Sequence, residues 1–136
     1  MPDVLIVMGS RSDSDLADAC CEVLKEEGIE YECIVSSAHR DPDRTRDIAI
    51  TAEERGVKVI IAIAGFSAHL PGVIASYTRL PVIGVPVDSS PLKGVDALYS
   101  IVQMPSGVPV ACMGIGRSGA KNAAHLAVRV LSLLNR

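Results

Sequence analysis

Histidine and arginine stand side by side in the segment Ser37-Ala38-His39-Arg40, directly after an apolar stretch that is typical of a strand. Histidine exchanges a proton near neutral pH, and arginine keeps a fixed positive charge that can hold a phosphate in a two-pronged contact. At the carboxyl end of a parallel strand, this pair would face the crevice in which α/β proteins bind ligands. The segment therefore predicts proton transfer beside an anion-binding group.

Two more polar turns follow apolar stretches in the same way, one at residues 8–13 and one at residues 65–72. Each turn contains glycine, which lets the backbone approach a ligand, and the free amides of a following helix attract phosphate or carboxylate. In the first turn Ser10 and Ser12 add hydroxyls and Asp13 adds a carboxylate, which is more than helix capping requires. We predict that the three turns form one ligand site.

Other kinds of site are less well supported. His39 and His69 could bind a metal ion, but no HxxxH or Cys/His spacing accompanies them. Residues 114–119 match the GxGxxG pattern of dinucleotide-binding turns, yet only 17 residues follow Gly119, too few for the second strand and its ribose-binding acid. We interpret these glycines as a tight turn between a strand and a helix, at the rim of the site. No GxSxG elbow of a serine hydrolase is present.

Composition bounds the remaining possibilities. A length of 136 residues with 49% hydrophobic residues fits one domain spanning residues 1–136. The 13 basic and 16 acidic residues include no basic block, so we expect no nucleic-acid partner. No apolar run approaches the roughly 20 residues of a membrane span, and no secretory signal begins the chain, so we expect a cytoplasmic protein without membrane contact. The four cysteines lack CxxC spacing and a disulfide framework, and we interpret them as small apolar side chains.

Apolar periodicity predicts five strands that alternate with five helices. The predicted strands cover residues 4–7, 31–35, 57–64, 81–85 and 108–113. Residues 57–64 are almost continuously apolar, which suits a central strand buried on both faces, and the closing helix is marked by apolar residues between 123 and 134. Such alternation, with short connections, predicts a flavodoxin-like fold of class α/β: three layers, α/β/α, around a doubly wound parallel sheet of about five strands. The longest irregular stretch, residues 86–94, is a candidate ligand cover.

Five segments together resemble one enzyme family over essentially the whole chain. They are MGSRSD at 8–13, SAHRDPD at 37–43, AGFSAHLPG at 64–72, PVIGVPVDSS at 81–90 and GVDALYSIVQMPSGVPVACMGIG at 94–116. The family is the 5-(carboxyamino)imidazole ribonucleotide mutases of de novo purine (IMP) synthesis. The resemblance implies an isomerase that moves a carboxyl group within a ribonucleotide and uses no metal, biotin or nucleotide cofactor.

The resemblance also implies a mechanism. The carbamate would lose carbon dioxide inside a closed pocket, carbon 4 of the imidazole would attack the trapped gas, and a base would remove the proton left on that carbon. His39 is the catalytic candidate for this proton transfer.

The family pattern implies roles for the other residues of the three turns. Ser12, Ser37 and Arg40 resemble phosphate ligands, and Asp13 resembles the acceptor for the ribose hydroxyls. The groups expected around the migrating carboxylate are Ser10 and backbone groups of Ala38, Gly65, Phe66 and Ser67. His69 and Leu70 are expected to close the pocket, with His69 as a polar wall.

The chain departs from the family pattern in one turn and at its end. Many members have GAGGAAHLPG where this chain has Ile63, Phe66 and Ser67 in place of Gly, Gly and Ala, which predicts a bulkier loop. Relatives usually continue beyond the closing helix into another helix that packs on a neighbouring subunit. The family assembles as an octamer with sites between subunits, so the resemblance predicts a homo-oligomer, and an octamer in particular.

Two alternatives stay open. A related branch fixes free carbon dioxide directly onto aminoimidazole ribonucleotide and typically has AGRSNALSG in this turn. Ser67 is similar to that branch, whereas residues 69–72 and the SAHR segment favour the mutase. The other alternative is a noncatalytic nucleotide-binding module of flavodoxin-like shape.

Overall fold

A computed structural model describes residues 1–134. The strands are β1 (Val4–Met8), β2 (Tyr31–Val35), β3 (Val59–Ala64), β4 (Val82–Pro86) and β5 (Ala111–Cys112). The helices are α1 (Ser14–Glu26), α2 (Pro42–Thr51), α3 (Leu70–Tyr77), α4 (Val95–Val102) and α5 (Gly116–Leu134), with a short 3-10 helix at Arg11–Asp13. All strand pairs are parallel in the order β2-β1-β3-β4-β5, which confirms the predicted flavodoxin-like, doubly wound sheet.

Two apolar layers cover the sheet, one on each face. Alternate residues of β1 belong to different layers: Ile6 packs toward α1 and α5, whereas Leu5 and Val7 pack toward α2, α3 and α4. The central strand β3 is buried along its whole length, as its continuous apolar sequence predicts. Within residues 1–134, no helix is both long and apolar enough to cross a membrane.

The edge strand β5 is much shorter than the predicted 108–113. Only Ala111 and Cys112 pair with β4. Pro109 lies inside the predicted range and has no backbone N–H to donate, which excludes it from a regular ladder. β3 also begins at Val59 rather than at residue 57, because the Val57 amide instead donates to the Ala52 carbonyl at the end of the preceding turn, at 3.1 Å.

The closing helix begins at Gly116, within the GxGxxG segment and ahead of the apolar residues 123–134 that mark it in the sequence. Gly114 and Gly116 have φ angles of 127° and 77°, which side chains rarely tolerate, and they turn the chain sharply from β5 into α5. A Cβ atom on Gly119 would lie 1.9 Å from the Gly114 carbonyl oxygen, so only glycine fits there. The GxGxxG segment is therefore the predicted tight turn from a strand to a helix.

Candidate functional site

The carboxyl ends of β1, β2 and β3 surround a cavity of about 500 Å³ at one edge of the sheet. All twelve residues that the sequence predicts for the site line this cavity: Ser10, Ser12, Asp13, Ser37, Ala38, His39, Arg40, Gly65, Phe66, Ser67, His69 and Leu70. Gly9, Ala64 and Ser89 line it as well. Ser89 lies in the irregular stretch 86–94, and that stretch was the sequence feature that pointed to it.

The turn after β1 presents two hydroxyls and a buried carboxyl group. The Ser10 hydroxyl accepts a hydrogen bond from the Ser12 amide at 3.3 Å and lies 2.9 Å from the Ser12 hydroxyl. Asp13 is only 8% exposed, and its amide donates to the Ser10 carbonyl at 3.0 Å. Burial raises the pKa of the Asp13 carboxyl group above its ordinary value, while a backbone hydrogen bond from Ser10 acts in the opposite direction. Ser10 thus caps the 3-10 helix Arg11–Asp13, whereas Asp13 at the N-cap of α1 makes no side-chain capping bond.

The turn after β2 is held from behind by two buried hydroxyl groups. Ser36 and Thr45 lie 2.7 Å apart, and the Thr45 hydroxyl is 3.1 Å from the Ser37 and Asp41 carbonyl oxygens. In the turn itself, the Arg40 amide donates to the Ser37 hydroxyl at 3.1 Å. Because these contacts fix the backbone, the side chains of His39 and Arg40 extend from a rigid support toward the cavity. Sequence reasoning missed this supporting role of Ser36 and Thr45.

The turn after β3 contains an unusual backbone conformation. Phe66 has a φ angle of 55°, a left-handed value that favours glycine, and its side chain is 58% exposed. The turn then leads into α3, where the His69 amide donates to the Ser67 carbonyl at 2.8 Å. Ile63 is fully buried in the core and does not line the cavity, so of the three departures from the family pattern only Phe66 and Ser67 change the site.

The two histidines of the site contact each other. Nε2 of His39 lies 2.8 Å from Nδ1 of His69, and the rings meet edge to face with centroids 4.9 Å apart. One nitrogen must donate and the other accept, so a single proton lies between the two rings. The sequence placed both histidines at the same sheet edge, but their contact depends on the strand order, because β2 and β3 flank β1.

Comparison with known proteins agrees with this geometry. The family model described as AIR carboxylase matches residues 3–136. The chain is 56% identical over 133 residues to the N5-carboxyaminoimidazole ribonucleotide mutase of Saccharolobus solfataricus, which covers 98% of this chain and 83% of the relative. The chain belongs to the AIR carboxylase family. The corresponding mutase of Thermotoga maritima is also 56% identical, over 98% of this chain and 77% of its own length.

A solved structure extends the same relationship to the fold. The crystal structure of Treponema denticola PurE matches with a TM-score of 0.82 at 35% identity, covering 96% of this chain and 80% of that one. These similarities confirm the family resemblance that the five sequence segments predicted. The roles of individual residues remain predictions.

In this member of the AIR carboxylase family, the cavity of a single chain is open to solvent. His39, Arg40, Phe66 and His69 are all exposed although they line it. Part of the wall comes from Ser89, in a loop that the buried Ser90 hydroxyl ties down by a 2.7 Å bond to the Asp96 carboxylate. The single chain thus assembles the polar floor of the site and leaves its mouth uncovered. The segment 114–119 does not line this cavity as the described residues form it, but its Arg117 lines an adjoining cavity that shares Ser12, Asp13 and Ser89 with the site.

Proposed function

We propose that this chain is an N5-carboxyaminoimidazole ribonucleotide mutase, with residues 1–136 as one catalytic domain. It converts the carbamate ribonucleotide into 4-carboxy-5-aminoimidazole ribonucleotide in de novo purine synthesis. The observation that carries the proposal is the contact between His39 and His69 at the wall of a cavity rich in hydroxyls and anion-binding groups. The names of the relatives at 56% identity support the same reaction.

The phosphate is bound where two turns meet. Ser12 and Ser37 provide hydroxyl donors, and Arg40 provides a fixed positive charge and a forked set of N–H groups. The start of α1 lies beside Ser12, and its free amides favour the same negative charge. This end of the cavity holds the substrate without taking part in the bond changes.

The ribose is bound by Asp13. A carboxylate accepts hydrogen bonds from both hydroxyls of a ribose, and Asp13 is buried at the cavity wall. Burial disfavours the charged form of this group, as its raised pKa indicates. The ribose hydroxyls that donate hydrogen bonds to the Asp13 carboxylate offset the cost of burying its charge. Binding of the ribose therefore favours the charged form of Asp13.

The migrating carboxylate lies between the first and third turns. Ser10 offers a hydroxyl, and the backbone groups of Ala38, Gly65, Phe66 and Ser67 surround the same space. Gly65 packs so closely on Val87 that a Cβ atom would lie 3.3 Å from the Val87 Cβ, so a side chain there would crowd Val87. Backbone amides fixed in this way stabilise a carboxylate without reorganisation.

His39 carries the proton between the two half-reactions. When the N–C bond of the carbamate breaks, the exocyclic nitrogen gains a proton and carbon dioxide is released into the cavity. Carbon 4 then forms a bond to the carbon dioxide and loses its own proton. The acid of the first step becomes the base of the second, so His39 ends in its starting state. His69 shares a hydrogen bond with the His39 ring and orients it.

Trapping carbon dioxide requires a cover, and a second copy of the chain supplies it. We therefore place the site at a subunit boundary in a homo-oligomer, with an octamer as the expected state and the cytoplasm as the expected location. The proposed association is supported by the exposed apolar side chains of Leu92, Val95, Tyr99 and Val102, which residues 1–134 leave without apolar cover on α4 and the loop before it. Light scattering on the purified protein tests this state; a monomer would contradict it.

An isotope experiment tests the reaction. The purified protein receives the carbamate ribonucleotide labelled in its carboxyl carbon, together with unlabelled bicarbonate. A mutase transfers the label to the carboxyl group on carbon 4, because the released carbon dioxide stays in the cavity. The second candidate, direct carboxylation of aminoimidazole ribonucleotide, is favoured by the Ser67 hydroxyl at the cavity wall. Under direct carboxylation the product carries unlabelled carbon from solution, which would reject the mutase assignment.

A further inference from the structure

The one phenylalanine of the chain, Phe66, lies at the uncovered mouth of the polar cavity. It lines the cavity and is nevertheless 58% exposed. Among the described residues that line the cavity, only Phe66 and Leu70 have large apolar side chains, and Leu70 is packed in the core at 2% exposure. Phe66 is therefore the large apolar surface that a molecule in this cavity can reach.

The fold of the single chain gains little from this residue. An exposed aromatic ring contributes little burial, and the φ angle of 55° lies in the left-handed region, where a Cβ atom crowds the backbone. Within residues 1–134, the other residue that combines a side chain with a positive φ is Lys93, also at 55°, and Lys93 has a polar side chain in an exposed loop. Backbone strain of this kind persists where the surrounding structure imposes it, and it clusters at ligand sites.

The backbone on both sides of Phe66 is held by hydrogen bonds. Before it, the Val87 amide donates to the Ala64 carbonyl at 3.0 Å. After it, the His69 amide donates to the Ser67 carbonyl at 2.8 Å. The turn therefore has little freedom to move Phe66 away from the cavity.

The proposed binding groups leave one part of the substrate without a partner. Hydroxyls and Arg40 bind the phosphate, Asp13 binds the ribose, and backbone groups bind the carboxylate. The imidazole ring has two flat faces that such groups do not cover, and carbon dioxide carries no charge that they could hold. An aromatic side chain supplies what is missing, because it stacks on a flat heterocycle and excludes water from it.

We propose that the Phe66 ring covers the imidazole of the bound ribonucleotide and retains the released carbon dioxide beneath it. This inference rests on the proposed mutase function and names the residue that contacts the heterocycle. Phe66 supplies part of the cover from the same chain, and the neighbouring copy supplies the rest. The ring takes no part in the bond changes: His39 carries the proton, and Phe66 keeps the carbon dioxide in place until carbon 4 attacks it.

The variant Phe66→Gly tests the retention of carbon dioxide in the isotope experiment. The native chain should pass the label from the carbamate to the carboxyl group on carbon 4. In Phe66→Gly the labelled fraction of the product should fall below the native value, and free aminoimidazole ribonucleotide should accumulate. A native labelled fraction in this variant would overturn the inference and leave the mutase assignment intact. Unlabelled product from the native chain would overturn the mutase assignment, and the retention of carbon dioxide with it.

Calorimetric titration with aminoimidazole ribonucleotide tests the stacking contact without any reaction. Loss of the ring in Phe66→Gly should raise the Kd about tenfold. Phe66→Tyr keeps an aromatic ring and should bind like the native chain. Equal affinities of the native chain and Phe66→Gly would show that the ring does not contact the heterocycle.

The matched control for the backbone is Lys93→Gly. Both substitutions place glycine at a φ angle of 55°, which glycine adopts freely, so both variants should keep a melting temperature close to the native one. Lys93 does not line the cavity, so label transfer and affinity should change only in Phe66→Gly. An equal loss of label in Lys93→Gly would show that the effect does not come from the Phe66 ring.

Light scattering separates this role from a contact between chains. The mass of Phe66→Gly in solution should equal that of the native protein, because the ring is assigned to the substrate. A smaller mass for Phe66→Gly would show that the ring packs on a second chain instead, and would overturn the inference.

Discussion

Two cavities of nearly equal size lie at opposite ends of the sheet. The polar one, of about 500 Å³, is at the carboxyl ends of β1, β2 and β3, and the other, of about 510 Å³, is at the amino ends of β4 and β5. The second is lined mainly by apolar side chains such as Leu80, Val82 and Val130. Arg79 is its one charged side chain among residues 1–134, and Arg79 is paired with Glu53 at 3.1 Å.

The difference between the two cavities follows from the direction of the chain. In a parallel sheet each strand leads into a helix at the same edge, so free amides and the positive ends of helix dipoles collect there. Serine, aspartate, histidine and arginine in those turns add proton-transfer and anion-binding groups. The amino edge receives the ends of helices and the starts of strands, and its cavity is a gap in apolar packing. The volume of a cavity alone would therefore not distinguish a ligand-binding site from a gap in apolar packing.

The largest expected effect is at the polar cavity, from His39→Asn. Asparagine keeps a hydrogen-bonding side chain but cannot take up and return a proton, so kcat should fall by about 10²- to 10⁴-fold while substrate binding is largely kept. Steady-state kinetics and a binding titration measure the two effects. His125→Asn, at an exposed histidine of α5, is the matched control and should be silent. Normal turnover by His39→Asn would show that His39 is not the proton-transfer group.

Arg40→Ala should act on binding rather than on the chemical step. Loss of a charged contact to the phosphate should raise KM by roughly 10- to 100-fold, with a smaller change in kcat. Arg129→Ala, on an exposed position of α5, serves as the comparison. An unchanged KM for Arg40→Ala would show that the phosphate does not bind beside Arg40.

Asp13→Asn should separate function from stability. We expect KM to rise about tenfold as the ribose loses an acceptor. The Asp13 pKa in the folded protein is raised above 3.8, so burial of the charged form destabilises the native state at pH values above that raised pKa. The variant should therefore melt at the same or a higher temperature at neutral pH. This advantage should shrink as the pH falls through the raised pKa and Asp13 becomes neutral in the native chain.

Thermal melts across a pH series measure that difference. A variant that is less stable at neutral pH, with a gap that widens in acid, would show that the Asp13 carboxylate supports the fold instead. That outcome would leave the ribose assignment to the kinetic measurement alone.

The smallest effect is expected at the apolar cavity, from Val130→Ala. Removing methyl groups from a partly buried valine should cost about 1 kcal/mol of unfolding free energy, measured from the urea midpoint. KM and kcat should not change, because the residue lies at the other end of the sheet. A clear change in KM would show that the apolar cavity affects substrate binding at the polar cavity, and would contradict the assignment of the apolar cavity as a packing gap.

Sequence reasoning was most successful where local chemistry decides the structure. β2 has its predicted bounds, because the mostly apolar segment Tyr31–Val35 ends at a polar residue on each side. The twelve predicted site residues all line one cavity. Sequence reasoning was weaker where the pairing of strands decides the structure. β5 is reduced to Ala111–Cys112 because an edge strand with proline nearby finds few partners. α5 starts at Gly116, inside the predicted turn, but the packing of Gly119 against the Gly114 carbonyl is a contact that periodicity does not reveal.

By itself, the sequence determined the alternation of strands and helices, the chemical groups of each turn and the family. These follow from neighbouring residues, whose spacing and polarity act over one element at a time. Only the tertiary structure decided that His39 contacts His69. That contact depends on which strand lies beside which. The strand order is a consequence of burying two apolar faces at once, a property of the whole chain.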